Sequence, residues 1–546
     1  MSGHTMETRD ETPPDRLPAP QKMAGIGNVH MRITAKPKAQ MWFNQGLNLL
    51  HDFWDYESAR AFEQSVRVDP HCAMCYWGLY KAESFYHSNA QGYARQALTK
   101  AISLEHYASR RERLYIEATA ADQNASQLWR KLVRKYPKDT EARIFLSRVV
   151  DHNESVALLQ SVFKDDPNNS AANHYYIHAL EWSDHPDQAL HSAEILPALA
   201  PASGHMVHMP GHIFFRLGDY ARAERAFAAS TQVDERYMRQ QHVEPDNDWN
   251  YVHNLMYAIA NLMEEGKLKE ATTLSMKLTG ARGELESTLY IYSSRDSISR
   301  LDPRLPVALR TGDWPQLIEL LNASAPPAGR PNLDFLSRQL TSLAAGMKAI
   351  ETHNLSQAEK LSAQLDAALQ HMSQPAKDSP KAHTTAANNT PAAGPPKLQV
   401  MPDALMQPLL RTLSILSLEL RASLLTAQSK IPDAKTLFAK AAQQQKALGY
   451  QEPPGYIRPA GEAEGAAMMT VGNWKDAKAA YEQALLERPR SGFALYGIAL
   501  SSEKSGDLPA AAKEYASFLT AWKNADPDLV ELMHARNFLA GHPVAP

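Results

Sequence analysis

The sequence predicts an all-α fold made of repeated helical hairpins, and three observations carry the prediction. Alanine-rich segments with apolar residues at helical spacing recur along the 546 residues, while strand signals are scarce. Small residues and prolines return in register: counting Ser170 as the first place puts Ala189 twentieth, Ala193 twenty-fourth and Pro201 thirty-second. Starting again at Gly204 puts Gly211 eighth, Ala223 twentieth and Phe227 twenty-fourth, which fixes a 34-residue helix-turn-helix period.

The other copies follow the same rule. Gly46, Phe62 and Pro70 mark one early in the chain, and Gly465, Ala477, Tyr481, Ala484 and Pro489 mark one near its end. Less regular copies surround Gly346 with Ala358, Ala434 with Phe438, and Gly506 with Tyr515. The small residues let paired helices approach closely, and each proline closes a unit because it has no N–H to continue a helix interior. These positions resemble the tetratricopeptide repeat over roughly 500 residues. The resemblance implies a right-handed solenoid of about eight to eleven helical hairpins, with a concave groove lined by the first helix of each. The stretches FNQGLNLLHDFW, DPHCAMCYWG, NHYYIHALE and HMPGHIFFRLGDY further resemble a bacterial subgroup of long tetratricopeptide proteins, a likeness that brings no activity with it. In that subgroup the stretch matching HNLMYA carries a second histidine where this chain has Met256.

Composition divides the chain. Residues 1–25 are charged and proline-rich and are expected to be disordered, and 26–370 form an N-terminal array. The segment HMSQPAKDSPKAHTTAANNTPAAGPPK has almost no large apolar side chain, so 371–403 is expected to be a low-complexity loop before a C-terminal array over 404–546. The array should continue past the loop, because the entropy of closing a loop grows slowly with its length.

Charge and hydropathy exclude some partners. With 57 Lys and Arg against 60 Asp and Glu there is no electrostatic footprint for nucleic acid. No apolar run approaches the ~20 residues that a membrane-spanning helix needs. The N-terminal stretch lacks the apolar core of a secretory signal, which sets the expectation of a cytoplasmic protein. Cys72 and Cys75 are the only two cysteines, too few for a disulfide framework, and are read as small buried residues at a helix start.

The histidines carry the chemistry. In a hairpin of this kind the second, fifth, ninth and twelfth places of the first helix share the inward stripe. His174 and His178 are fifth and ninth in one unit, and His208 and His212 hold the same places in the next, with His205 second. Counting back from Ala271 makes His253 second and Met256 fifth in the unit after that. Three successive inner helices therefore aim imidazoles, with Met256 beside them, at one region. Histidines four apart share a helix face, and a neighbouring helix about 8–10 Å away brings further nitrogen within coordination reach. Imidazole suits zinc, copper, iron and nickel, and the thioether of Met256 tilts the choice toward copper, with zinc and iron as alternatives. Glu181 is positioned as a carboxylate ligand or base, and Arg216 as a rim cation for an anionic substrate. Pro210 should start its helix or kink it. A second, weaker set is His30, His51 and His87, and Tyr175 and Tyr176 are read as packing residues.

Two functions follow. One is a metalloprotein that performs oxidative or hydrolytic chemistry on a small molecule held in the groove. The other is an interaction scaffold for a peptide or protein partner, without metal or catalysis. Walker, G-x-S-x-G and H-E-x-x-H motifs are absent.

Overall fold

The computed structural model describes residues 12–86, 92–121, 124–245, 248–281, 294–324, 331–373 and 407–543. Among these residues the regular structure is entirely helical, and no strand occurs. The chain divides into two compact units, the first made of Met1–Leu262 with Lys277–Leu289 and the second of Met263–Met276 with Tyr290–Pro546.

In the first unit, helices pair in chain order: Pro37–His51 with Asp55–Val68, Ala73–Tyr86 with Tyr93–Ser103, and Arg110–Ala120 with Ala125–Lys135. Thr140–Ser147 then pairs with His152–Asp165, Ser170–Glu181 with Leu190–Leu199, and Gly204–Arg216 with Tyr220–Gln241. The close pairing has a local cause that the 34-residue count anticipated. Glycine at the eighth place faces an aromatic ring sixteen residues later, and a Cβ built on Gly46 would lie 2.9 Å from the Phe62 ring. Gly211 meets Phe227 in the same way, and Phe62 and Phe227 are fully buried.

The second unit repeats the device. A Cβ on Gly465 would come within 2.7 Å of Tyr481. Gly346 faces Leu420 across the two long helices Pro331–Glu351 and Gln407–Ala427. Those helices lie on either side of the low-complexity segment, so the array does continue past it. Residues 374–406 themselves lie outside the described residues, and 371–373 complete the helix Leu355–Ser373.

The expectation of disorder over 1–25 needs correction. Residues 1–11 are outside the described set, but from residue 12 the chain is laid along the first hairpin. Leu17 is 2% exposed, and the Arg60 guanidinium donates to the carbonyls of Pro18 and Ala19 at 3.1 and 2.9 Å. Backbone carbonyls met by a buried arginine outweigh the polar composition. Cys72 and Cys75 are buried at the start of the Ala73–Tyr86 helix, but they are joined by a disulfide, which corrects the reading of them as unpaired small residues.

Candidate metal centre

The site lies within the first unit, on the three helices Ser170–Glu181, Gly204–Arg216 and Trp249–Glu264. Side chains cap their starts: Asn169 accepts from Ala172 N, Ser203 accepts from Met206 N, and Asp248 Oδ1 accepts from Tyr251 N. The second cap settles the Pro210 question. The helix begins at Gly204 and runs through Pro210, so the proline does not start it, and His205, His208 and His212 sit on one continuous face. The Ser203 cap seven residues upstream and burial of Gly204 through Phe215 offset the hydrogen bond that Pro210 cannot make.

The predicted histidines come together as two neighbouring groups. One nitrogen from each of His174, His178 and His205 lies within 4.8 Å of the others, and the same holds for His208, His212 and His253. Ring contacts connect the groups, with His205 to His208 at 6.0 Å and His178 to His212 at 6.2 Å between centroids. All are buried except His178, which is partly exposed.

Each of five imidazoles is held by its Nδ1 atom on an oxygen. His174 donates to the His51 carbonyl at 2.6 Å, His205 to Asn250 Oδ1 at 3.1 Å and His208 to Asn254 Oδ1 at 2.8 Å. His178 donates to Glu181 Oε1 at 2.6 Å, and His212 donates to Glu181 Oε2. The amide orientations are fixed, because Asn254 Nδ2 donates to the Phe227 carbonyl and Thr231 Oγ1 while Asn250 Nδ2 donates to Asp234. An oxygen without a hydrogen can only accept, so Nδ1 carries the proton and Nε2 presents a lone pair.

The Nε2 atoms then face each other. His174 and His205 approach at 3.1 Å, and His208 and His212 at 2.7 Å. Two lone pairs at that separation repel unless a proton or a cation lies between them. A proton is disfavoured: burial holds His174, His205 and His208 well below the usual imidazole range, and the neighbouring imidazoles push the same way. Burial lowers His212 too, against the Glu181 carboxylate. Two nitrogens about 2.0–2.1 Å from one ion, at an angle of about 90–110°, lie roughly 2.8–3.4 Å apart. The 3.1 Å separation of His174 and His205 falls within this range, and the 2.7 Å separation of His208 and His212 lies just below it.

Glu181 is fully buried, and its two oxygens each accept from an imidazole, so it orients His178 and His212. Burial would raise its carboxyl, but the imidazoles of His212 and His178 hold it well below the usual carboxylate range. Arg216 donates to the Ser183 carbonyl at 2.9 Å and ties two of the helices together at their C-terminal ends. Met256 is buried one helical turn beyond His253. Tyr175 and Tyr176 pack as expected, with hydroxyls on His51 and Gln160.

The second histidine set does not assemble. His30 is exposed and bonded to Asn44, and His87 is outside the described residues. His51 is buried between Glu141 and Tyr175, and its role is to present a carbonyl to His174. Sequence reasoning missed His51, Asn250 and Asn254 as supports, and also Phe53. The Phe53 ring touches His174, His178 and His205 at 4.8–5.4 Å, from a backbone with φ of 59°. That left-handed conformation costs a bulky residue about 1–3 kcal/mol, which the surrounding packing must offset.

Residues 463–526 match the family model described as tetratricopeptide repeat. No curated protein matches the chain. Among solved structures, the yeast Tom70 crystal structure is 12% identical, with 92% of this chain and 95% of that one covered and a TM-score of 0.32. The Cut9–Hcn1 hetero-tetramer of APC/C is 12% identical over 92% of this chain and 76% of that one, with a TM-score of 0.29. The tetratricopeptide domain of P58(IPK) is 11% identical over 86% and 98%, with a TM-score of 0.20. The family-model match identifies residues 463–526 as tetratricopeptide repeat, and the same glycine-to-aromatic pairing recurs outside it at Gly46 with Phe62 and Gly211 with Phe227.

Proposed function

We propose that this tetratricopeptide protein binds transition-metal ions between imidazoles of its inner helices, one ion to each three-histidine group. The observation that supports this most directly is the facing of Nε2 lone pairs in a buried site whose Nδ1 atoms are held on oxygens. Histidine ligands of metals characteristically donate their other N–H to a carboxylate or carbonyl, which fixes the tautomer and raises ligand basicity. The donors suit copper, zinc or iron, and the buried thioether of Met256 near His253 keeps the preference for copper.

Binding is the core of the proposal, and oxidative or hydrolytic chemistry on a small molecule is its extension. A substrate would approach the His178 side, where the imidazole is partly exposed, although its Nε2, which has no hydrogen-bond partner, is itself buried. Glu181 acts there as a positioning residue, since its oxygens are engaged by His178 and His212. The repeat fold also supports a scaffold role for a protein partner, and no helix among the described residues is long and apolar enough to cross a membrane.

Elemental analysis of protein purified without a polyhistidine tag tests the reading. Two equivalents of metal are expected in the wild type. His208→Ala should lose one and retain the other, and His174→Ala should do the converse. A wild type that takes up no stoichiometric copper, zinc or iron sinks the proposal and leaves the scaffold.

A further inference from the structure

The two histidine groups meet on one helix. His205 belongs to the first group and His208 to the second, yet they lie three residues apart on Gly204–Arg216, with their rings 6.0 Å apart and inclined by only 23°. Their Nδ1 atoms donate to Asn250 and Asn254, which are four residues apart on Trp249–Glu264. Elsewhere in the site His178 of the first group and His212 of the second donate to the two oxygens of a single carboxylate, Glu181, with their rings 6.2 Å apart. Within the groups the widest ring separations are 5.8 Å, between His178 and His205, and 5.7 Å, between His212 and His253. Rings of different groups are thus hardly farther apart than rings that would share an ion. Ions seated in the two groups are neighbours, on the order of 6 Å apart, the rise of four helical residues. A two-atom ligand with bonds of about 2 Å to each ion spans most of that gap.

Charge selects the ligand. A coordinating imidazole is neutral, so the negative charge that these hydrogen bonds bring to the site is that of Glu181. Divalent ions in both groups would leave a large excess of positive charge in a buried place, which is costly. Copper(I) carries half as much, and imidazole together with the buried thioether of Met256 suits it. Oxidation of both ions by a distant acceptor would add two buried charges. Dioxygen avoids that cost. Each copper(I) gives up one electron, the O–O double bond becomes a single bond, and the peroxide dianion formed stays between the two copper(II) ions. No charge enters or leaves the site, and no proton is required. We infer that the two imidazole groups form one dinuclear copper centre whose substrate is dioxygen, bound reversibly between the ions as peroxide. The inference rests on metal binding by both groups and adds what the pair of ions takes up together.

Anaerobic loading of metal-stripped protein with two equivalents of copper(I), followed by admission of dioxygen, tests it. The wild type should take up one dioxygen for every two coppers and develop an intense near-ultraviolet charge-transfer band that fades when dioxygen is removed. Its oxygenated form should show almost no copper(II) electron paramagnetic resonance signal, because the bridge couples the two spins. These readouts need no variant to fold. His208→Ala and His174→Ala, each retaining one copper, should form no such band and should give, once oxidised, the full signal of an isolated copper(II). A wild type that binds no copper removes the imidazole reading for copper and this inference with it. A wild type that binds two coppers yet takes up no dioxygen, an oxygenated form with the signals of two independent copper(II) ions, or a one-copper variant that still forms the band would each overturn the dinuclear centre while leaving metal binding intact.

Discussion

Asn254 shows how much one amide decides. Its Nδ2 is committed to Phe227 and Thr231, so only Oδ1 can meet His208, and that contact selects the tautomer with Nε2 free to bind. Asn254→Leu should therefore lower metal affinity about 10–100-fold, the usual effect of losing an outer-sphere partner. A competition titration against a chelator measures it, and an unchanged affinity would deny the amide its orienting role. In the second unit Glu419 is a residue-scale titrating group. It is buried, and burial raises its carboxyl to about 7 against the pull of Arg458. A raised carboxyl binds its proton more tightly in the folded chain, so its contribution is present below the ordinary value of 4.5 and is lost as pH rises through about 7. Glu419→Gln should melt higher than the wild type at pH 8 and alike at pH 4, with a gain of at most about 3 kcal/mol. Equal melting differences at both pH values would contradict this.

At the scale of the element, the Gly204–Arg216 helix combines features that propensity alone would not predict. It holds a proline in its interior and glycine at the eighth place, yet all of it but Arg216 is buried. Tertiary packing decides here: Gly211 admits the Phe227 ring, and the ring in turn packs on His208 at 5.0 Å. Gly211→Ala gains about 1 kcal/mol of helix propensity. It also overpacks a fully buried ring, at a cost of about 1–3 kcal/mol. A lower melting temperature is expected together with loss of metal from the His208 group, because the ring and the imidazole shift as one. Melting at or above the wild-type temperature would show that the helix pair has room to spare.

At the scale of the whole molecule, each unit has its own organising polar device. In the first it is the imidazole cluster with its oxygen supports. In the second it is Arg310, fully buried, which donates to both oxygens of Glu264 at 2.9–3.0 Å and also to Glu462 and Ser491. These partners lie up to 181 residues away in sequence. Arg310→Ala leaves two carboxylates buried without their main cation and should cost about 3–5 kcal/mol, measured by the urea midpoint of unfolding. A midpoint within error of the wild type would mean that Arg488 and solvent compensate for the loss.

The sequence by itself determined the helical class, the hairpin period and the inward register of His174, His178, His205, His208, His212 and His253, because a 34-residue repeat converts spacing directly into direction. It determined neither the continuity of the helix through Pro210 nor the packing of residues 12–25. Only the tertiary structure decided that six imidazoles divide into two groups of three, and that His51, Asn250, Asn254 and Glu181 hold Nδ1 atoms of five of them. The physical reason is that hydrogen-bond partners 31–123 residues apart are joined by the stacking of helices, and local spacing carries no record of them.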